Sequence, residues 1–178
     1  YAGSERLADA LWEQLGETSP KPGFGLADAE ERAGRLAEGM YQGYRLLRRL
    51  DPERVVWMNH APRNQVEQLA VFNRAADIVG CDIYPVPESL QVKHSDLADR
   101  TVSSVGAYTR RMQAAAPDKP VWMVLQGVGW GDFLKVSAAE KEHLRRPTRE
   151  ETRFMAYDAI ANGAQGILYW GSDYVEKD

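Results

Sequence analysis

The chain is poor in several features that would narrow its class, and each shortage excludes something. Its single cysteine, Cys81, rules out an internal disulfide, and its place inside an apolar run predicts a buried, unreactive thiol. No apolar run is long enough to cross a bilayer, so we expect no membrane partner. The sequence therefore predicts a soluble protein and leaves its compartment open, secreted and periplasmic locations included.

Charge and histidine are also scarce. The formal net charge is only −4, and the basic residues are scattered, which gives no reason to expect a nucleic-acid partner. Three histidines stand far apart without the spacing of a metal site, so no metal is predicted. Neither a phosphate-binding glycine loop nor a Gly-x-Ser-x-Gly elbow is present, and we expect no cofactor.

Four short β-rich runs alternate with segments of helical character. The runs lie near residues 55–60, 76–84, 120–126 and 165–170, and capping signals such as Thr148 with Glu151 mark helices between them. Strands that alternate with helices predict an α/β fold with a parallel sheet. Such folds place their chemistry at the carboxyl ends of the strands, where the long connections 85–100 and 127–146 also follow.

Polar and aromatic residues at these strand ends are the candidate site. Asn59 and His60 end the first run, and Asp82 stands two residues before Tyr84, so both point to the same face of the pleat. A buried carboxylate is costly unless it is paired or functional, which makes Asp82 the acid of greatest interest. Its alternative role is a structural hydrogen bond.

Four of the five tryptophans divide into two groups. Trp130 follows a strand in a glycine-rich loop and Trp170 ends the last run, so both are candidates for stacking on a ligand at the strand ends. Trp57 and Trp122 lie within apolar runs and are expected to pack between sheet and helices. Asp173 follows the last run and is predicted either to bind a ligand at the strand ends or to cap a following helix.

Four phrases together resemble the second half of a clan A glycoside hydrolase barrel, in a stretch that runs from Leu46 onward. They are DPERVVW at 51–57, DIVGCDIYP at 77–85, KPVW at 119–122 and NGAQGILYW at 162–170. The resemblance implies a (β/α)8 barrel whose strands five to eight are present. It places Tyr84 near the nucleophile, Gln126 at the nucleophile position and Trp170 at the floor of the sugar site. The resemblance also implies that Trp130 and Trp170 stack on a sugar ring and that Asp173 reaches a sugar hydroxyl.

A closed barrel of this kind needs about 250 residues, and the four strand-helix units present here account for about half of one. We therefore expect residues 1–178 to form one partial barrel domain that depends on a missing N-terminal half. By the resemblance, the general acid/base would lie just before Tyr1.

The expected function is that of a carbohydrate-active protein, a glycoside hydrolase cleaving O-glycosidic bonds. Gln126 departs from the family because an amide cannot form a glycosyl ester. Either another carboxylate serves, or the protein is inactive, or the alignment is shifted. The first alternative predicts an inverting enzyme with Asp82 as general base and Gln126 orienting substrate or water. The rival is a non-catalytic carbohydrate-binding or scaffold barrel.

Overall fold

The computed structural model describes residues 26–89, 95–132, 134 and 137–171. The chain divides into two compact units, Tyr1–Leu36 and Ala37–Asp178, and the second carries all four strands. Five helices are described: α1 (Leu26–Leu50), α2 (Val66–Asn73), α3 (Ser104–Ala115), α4 (Ala138–His143) and α5 (Arg149–Ala161). The strands are β1 (Trp57–His60), β2 (Ile78–Ile83), β3 (Trp122–Gln126) and β4 (Gly166–Trp170), and a 3-10 turn spans Trp130–Asp132.

The four strands form one sheet in sequence order, and every neighbouring pair is parallel. Each strand lies within its predicted run, and the α/β class with a parallel sheet is confirmed. The capping box of α5 is also present, since Thr148 Oγ1 accepts the Glu151 N–H at 3.2 Å while Glu151 accepts the Thr148 N–H at 2.8 Å. No helix in the described part of the chain is both long and apolar enough to span a membrane.

One face of the sheet packs against the helices. The pleat directs alternate residues toward this face, and in β2 these are Val79, Cys81 and Ile83, all buried. Burial raises the pKa of the Cys81 thiol well above its ordinary value, as expected of an unreactive cysteine. Partners from the helices include Leu69 of α2, Tyr108 and Met112 of α3, and Met155 of α5. Each fully buried apolar side chain contributes roughly 1.5–3 kcal/mol.

Two tryptophans lie on the opposite face, so the prediction that they pack toward the helices is wrong. The side chain of Trp122 lies over Gly166, where an added Cβ would come within 2.5 Å of the indole ring. A Cβ on Gly80 would stand 3.0 Å from Trp57 Nε1 and 1.9 Å from the carbonyl oxygen of Trp122. The pleat explains the placement, because residues two apart in a strand share a face. Trp57 therefore shares its face with Asn59, and Trp122 shares its face with Val124 and Gln126.

The amino-terminal end of the sheet is tied together by Asp77. Its carboxylate accepts hydrogen bonds from the Val56 N–H at 2.8 Å and from the Tyr44 hydroxyl at 2.7 Å, and Arg48 lies 3.8 Å away. Burial raises the pKa of Asp77, but these donors outweigh it, and the net pKa is lowered. Asp77 thus joins α1 to the starts of β1 and β2.

Candidate functional site

Strand register arranges the face opposite the helices into three levels. The lowest level, at the amino ends, holds Gly80, Trp122 and Gly166, with Asn59 paired to Gly80. The middle level holds Asp82, Val124 and Leu168. Gln126 pairs with Trp170 at the highest level, and Tyr84 joins them because it stands two residues beyond Asp82. The highest level lies at the carboxyl ends of the strands.

Three rings meet at this end and form what we call the aromatic cluster: Tyr84, Trp130 and Trp170. The centroid of the Tyr84 ring is 5.8 Å from that of Trp170, with an angle of 31° between the planes. Trp130 meets Tyr84 edge-on, with centroids 6.0 Å apart at 69°. Tyr84 is buried, whereas Trp170 is 41% exposed. A buried ring therefore supports an exposed one, an arrangement that can stack on the apolar face of a pyranose.

Gln126 lies beside the cluster and is fully enclosed, at 0% exposure. Its Oε1 accepts the Val86 N–H at 2.8 Å, and its Nε2 donates to the carbonyl oxygens of Val86 at 2.6 Å and Val128 at 2.9 Å. Both amide hydrogens and the carbonyl oxygen are thus engaged by main chain. The geometry does not match the expectation that Gln126 contacts substrate or water.

Asp82 and Asn59 share the face of the aromatic cluster but lie at lower levels. Asp82 is only 1% exposed and is one level down, about 7 Å along the strand. Asn59 is exposed and is two levels down, about 13 Å by the same rise per residue. The structure therefore brings Asp82 under the cluster and leaves Asn59 near the amino end of β2.

His60 lies on the other face of the sheet from these residues. Its Nε2 is 2.7 Å from Asn73 Oδ1 in α2, and Asn73 donates onward to the Ala115 carbonyl at 3.3 Å. Burial lowers the pKa of His60, with the Asn73 hydrogen bond opposing it in part. Consecutive strand residues point to opposite faces, so Asn59 and His60 could not both line the site. His60 links β1 to the helical layer.

The loop that carries Trp130 is fixed by a carboxylate that sequence reasoning missed. Asp132 Oδ2 accepts hydrogen bonds from Arg146 Nε and from the Gly129 N–H, both at 2.8 Å, and Lys141 Nζ lies 3.7 Å from Oδ1. Burial raises the pKa of Asp132. The hydrogen bonds from Arg146 and from the Gly129 N–H, together with the positive charges of Arg146 and Lys141, outweigh burial, and the net pKa is lowered. Fourteen residues separate Asp132 from Arg146, so no local pattern indicated the pair.

A second network, also missed, joins the loops that follow β1 and β2. The Tyr108 hydroxyl lies 2.5 Å from the Pro62 carbonyl and 2.7 Å from Asp96 Oδ1, and it accepts the Asp96 N–H at 3.0 Å. Burial, with the Asp96 contact, raises the pKa of Tyr108 to about 12. Arg111 completes the network by binding both carboxylate oxygens of Asp96, at 2.7 and 2.9 Å.

Asp173 lies outside the described residues. Within the described ranges, histidine, cysteine and carboxylate side chains form no group of three or more that could hold a metal ion.

Comparison with known proteins supports the fold. No protein-family model matches the chain, and no curated protein sequence matches it significantly. Among solved structures, the chain is similar to a polyextremophilic beta-galactosidase from the Antarctic haloarchaeon Halorubrum lacusprofundi, with a TM-score of 0.63 and 21% sequence identity. The match covers 85% of this chain and 23% of the galactosidase chain. At this identity the likeness concerns the fold alone, which is similar to that of about a quarter of the galactosidase chain.

Proposed function

We propose that the chain is part of a (β/α)8 barrel that binds carbohydrate at the carboxyl ends of its strands. The observation that carries this proposal is the aromatic cluster, in which a 41% exposed Trp170 rests against buried Tyr84. Aromatic rings at strand ends suit the apolar faces of sugars, and the carboxyl end is where barrel proteins place their sites. The similarity to a beta-galactosidase makes β-galactosides the first ligands to test.

Exposed apolar side chains at both margins of the sheet support completion of the barrel by a further half. Trp57 of β1 is 37% exposed, Tyr169 of β4 is 44% exposed, and Ile160 on the neighbouring flank of α5 is also exposed. Large apolar side chains at sheet margins are normally covered. In a complete barrel, Trp57 and Tyr169 become protected from hydroxyl-radical oxidation while Tyr157, on the outer side of α5, stays reactive. Equal oxidation of all three in the full-length protein would contradict completion.

The activity we propose is glycoside hydrolysis with Asp82 as the carboxylate from this chain. Asp82 lies on the same face as the aromatic cluster, one level below it. An inverting mechanism needs a general base and a separate acid, roughly 6.5–9.5 Å apart, and needs no nucleophile on β3. The acid is then proposed to come from the other half of the barrel.

A non-catalytic carbohydrate-binding barrel is the second candidate, and Gln126 favours it. The position that would hold a nucleophile carries an amide engaged on all sides by main chain. Asp82 is also deeply buried, at 1% exposure. Both facts are compatible with a protein that keeps the sugar-binding end of the barrel without cleaving the bond.

The deciding experiment incubates the full-length protein with p-nitrophenyl β-D-galactopyranoside and a panel of other p-nitrophenyl glycosides. The hydrolase proposal predicts turnover that Asp82→Asn lowers by about 10²- to 10⁴-fold, as for loss of a general base. Asp118→Asn, at an exposed turn before β3, is the matched control and should leave turnover unchanged. Full activity in Asp82→Asn would overturn the role of Asp82, and binding without turnover would establish the non-catalytic alternative.

A further inference from the structure

We infer that Gln126 is a positioning residue that sets the aromatic cluster by holding two loops together, and that an ionised carboxylate cannot take its place. The inference builds on the proposed carbohydrate site, because it explains how that site is kept in shape. It concerns a role that the resemblance to glycoside hydrolases does not assign, since there the position supplies a nucleophile.

The geometry of the amide carries this inference. Val86 follows β2 and stands two residues beyond Tyr84, while Val128 follows β3 and stands two residues before Trp130. Gln126 binds the N–H and the carbonyl of Val86 and the carbonyl of Val128, at 2.6 to 2.9 Å. One side chain therefore fixes two backbone segments, each of which carries a ring of the cluster.

A second contact joins the third ring to the same point. The residue after Gln126 donates its backbone N–H to the carbonyl of Trp170 at 3.0 Å, which continues the pairing of β3 with β4. A Cβ on Gly127 would approach that carbonyl to 2.8 Å, so the close contact depends on glycine. Contacts with the end of β3 thus fix the backbone that carries all three rings, Tyr84, Trp130 and Trp170.

Donor and acceptor requirements show why the amide is specific. A carboxylate accepts hydrogen bonds and donates none, so one oxygen of a glutamate could keep the Val86 N–H. Its other oxygen would face the carbonyl oxygens of Val86 and Val128 at the distances where Nε2 now donates. In a fully buried site this repulsion disfavours the charged form and raises the pKa of such a glutamate.

The consequence for chemistry concerns Gln126 at the end of β3, the position where the resemblance places a nucleophile. A nucleophile in a retaining glycosidase must be an ionised carboxylate with a free approach to the anomeric carbon. The residue here is enclosed and bound to main chain on every polar atom. Bond formation to the sugar at Gln126 is excluded, and a role in shaping the cluster takes its place.

The test uses the protein labelled with 5-fluorotryptophan, whose ¹⁹F resonances are assigned by single Trp→Phe variants. In Gln126→Glu at pH 7, we expect the resonances of Trp130 and Trp170 to shift while those of Trp57 and Trp122 stay near their wild-type positions. Lowering the pH toward 5 protonates the glutamate and should return the shifted resonances toward wild type. Gln126→Met removes the same hydrogen bonds, so it should shift the same two resonances without this dependence on pH.

Gln165→Glu is the matched control, because Gln165 Oε1 likewise accepts a backbone N–H, from Val121 at 2.8 Å, but at the exposed amino end of the sheet. It should show wild-type spectra at both pH values. If Gln126→Glu unfolds at pH 7, folding on acidification supports the inference, and failure to fold at either pH while Gln126→Met shows wild-type spectra overturns it. Shifts of Trp57, Trp122, Trp130 and Trp170 together, or of none of these four, would also overturn it.

A parallel titration with lactose separates this inference from the proposed function. Absence of any saccharide binding by the wild type would count against the carbohydrate site, while the ¹⁹F result would still decide whether Gln126 sets the cluster. Where wild type binds, Gln126→Glu should bind about tenfold more weakly at pH 7 and recover affinity at pH 5, in step with its spectrum. Unchanged affinity at pH 7 would contradict the positioning role.

Discussion

One face of the sheet lies opposite the helices, and the two ends of that face are built in contrasting ways. At the amino end, Trp122 covers Gly166 and the Gly80 backbone passes within contact distance of the Trp122 carbonyl, which leaves no room for another atom. At the carboxyl end, the buried Tyr84 ring supports the partly exposed Trp170 ring, and Gln126 forms hydrogen bonds with backbone groups. The closely packed amino end is thus expected to contribute mainly to stability, and the carboxyl end is where we propose that the ligand binds.

The largest expected effect breaks the amino end. Gly80→Ala places a Cβ 1.9 Å from the Trp122 carbonyl oxygen, and because that atom belongs to the sheet backbone it cannot move aside cheaply. We expect the free energy of unfolding to fall by about 3 kcal/mol or more, since overpacking a tight site costs this much at its upper end. Urea denaturation followed by circular dichroism measures the loss.

The control for this change is Gly43→Ala in α1. A Cβ there meets no atom within 4 Å among the described residues, and helical alanine is favoured over glycine. Stability should therefore rise, by roughly 0.5–1 kcal/mol. A Gly80→Ala protein as stable as wild type would show that the amino end is not closely packed.

A smaller effect is expected from the loop network behind the carboxyl end. Tyr108→Phe removes a buried hydroxyl and leaves the Pro62 carbonyl and the Asp96 main chain without that partner. The Asp96 N–H still donates to the Pro62 carbonyl at 3.3 Å, so the cost is that of the lost hydrogen bonds, about 0.5–1.5 kcal/mol each, and we expect a total loss of about 2 kcal/mol. Tyr157→Phe on the exposed side of α5 should change stability by less than about 0.5 kcal/mol. Equal stability of the two variants would show that the network contributes nothing.

The smallest effect concerns pH and separates His60 from the site. Burial lowers the folded-state pKa of His60 below its unfolded value of about 6.5, so the unfolded chain binds the proton more readily. The contribution of neutral, buried His60 to the free energy of unfolding is fully present above the unfolded pKa of about 6.5 and is lost as the pH falls below it. Unfolding free energies measured between pH 7.5 and 5.5 should decline in wild type.

The decline should be weaker in His60→Gln than in wild type. His143→Gln, at the exposed end of α4, is the comparison variant and should keep the wild-type slope. Saccharide affinity in His60→Gln should match wild type, because His60 lies on the helical face. A specific loss of affinity in that variant would return His60 to the site.

Sequence reasoning reached the fold because its signals are local. Runs of apolar residues between capped helices predicted the parallel sheet, and the two-residue step from Asp82 to Tyr84 predicted that both share a face. The two-residue period of a strand places neighbours such as Asn59 and His60 on opposite faces. Applied to β1, it would have placed His60 on the face that packs against the helices. Tyr84 and Trp170 were brought together by their strand-end positions.

The supporting contacts escaped prediction because they join distant segments. Gln126 reaches a backbone 40 residues away, and Tyr108 reaches the Pro62 carbonyl across 46 residues. The fit of tryptophan side chains over Gly80 and Gly166 likewise depends on strand register, which no local pattern encodes. Glycines inside predicted strands were the available signal, since they often mark a close approach of another group.

The central claim is that the aromatic cluster binds saccharide, and the most direct test is isothermal titration of wild type, Trp170→Ala and Trp57→Phe with the best ligand from an oligosaccharide screen that includes lactose. We predict that wild type binds, that Trp170→Ala loses about tenfold in affinity, equivalent to about 1.4 kcal/mol, and that Trp57→Phe binds as wild type does. Equal affinity in wild type and Trp170→Ala, or no binding of any saccharide by wild type, would contradict the account.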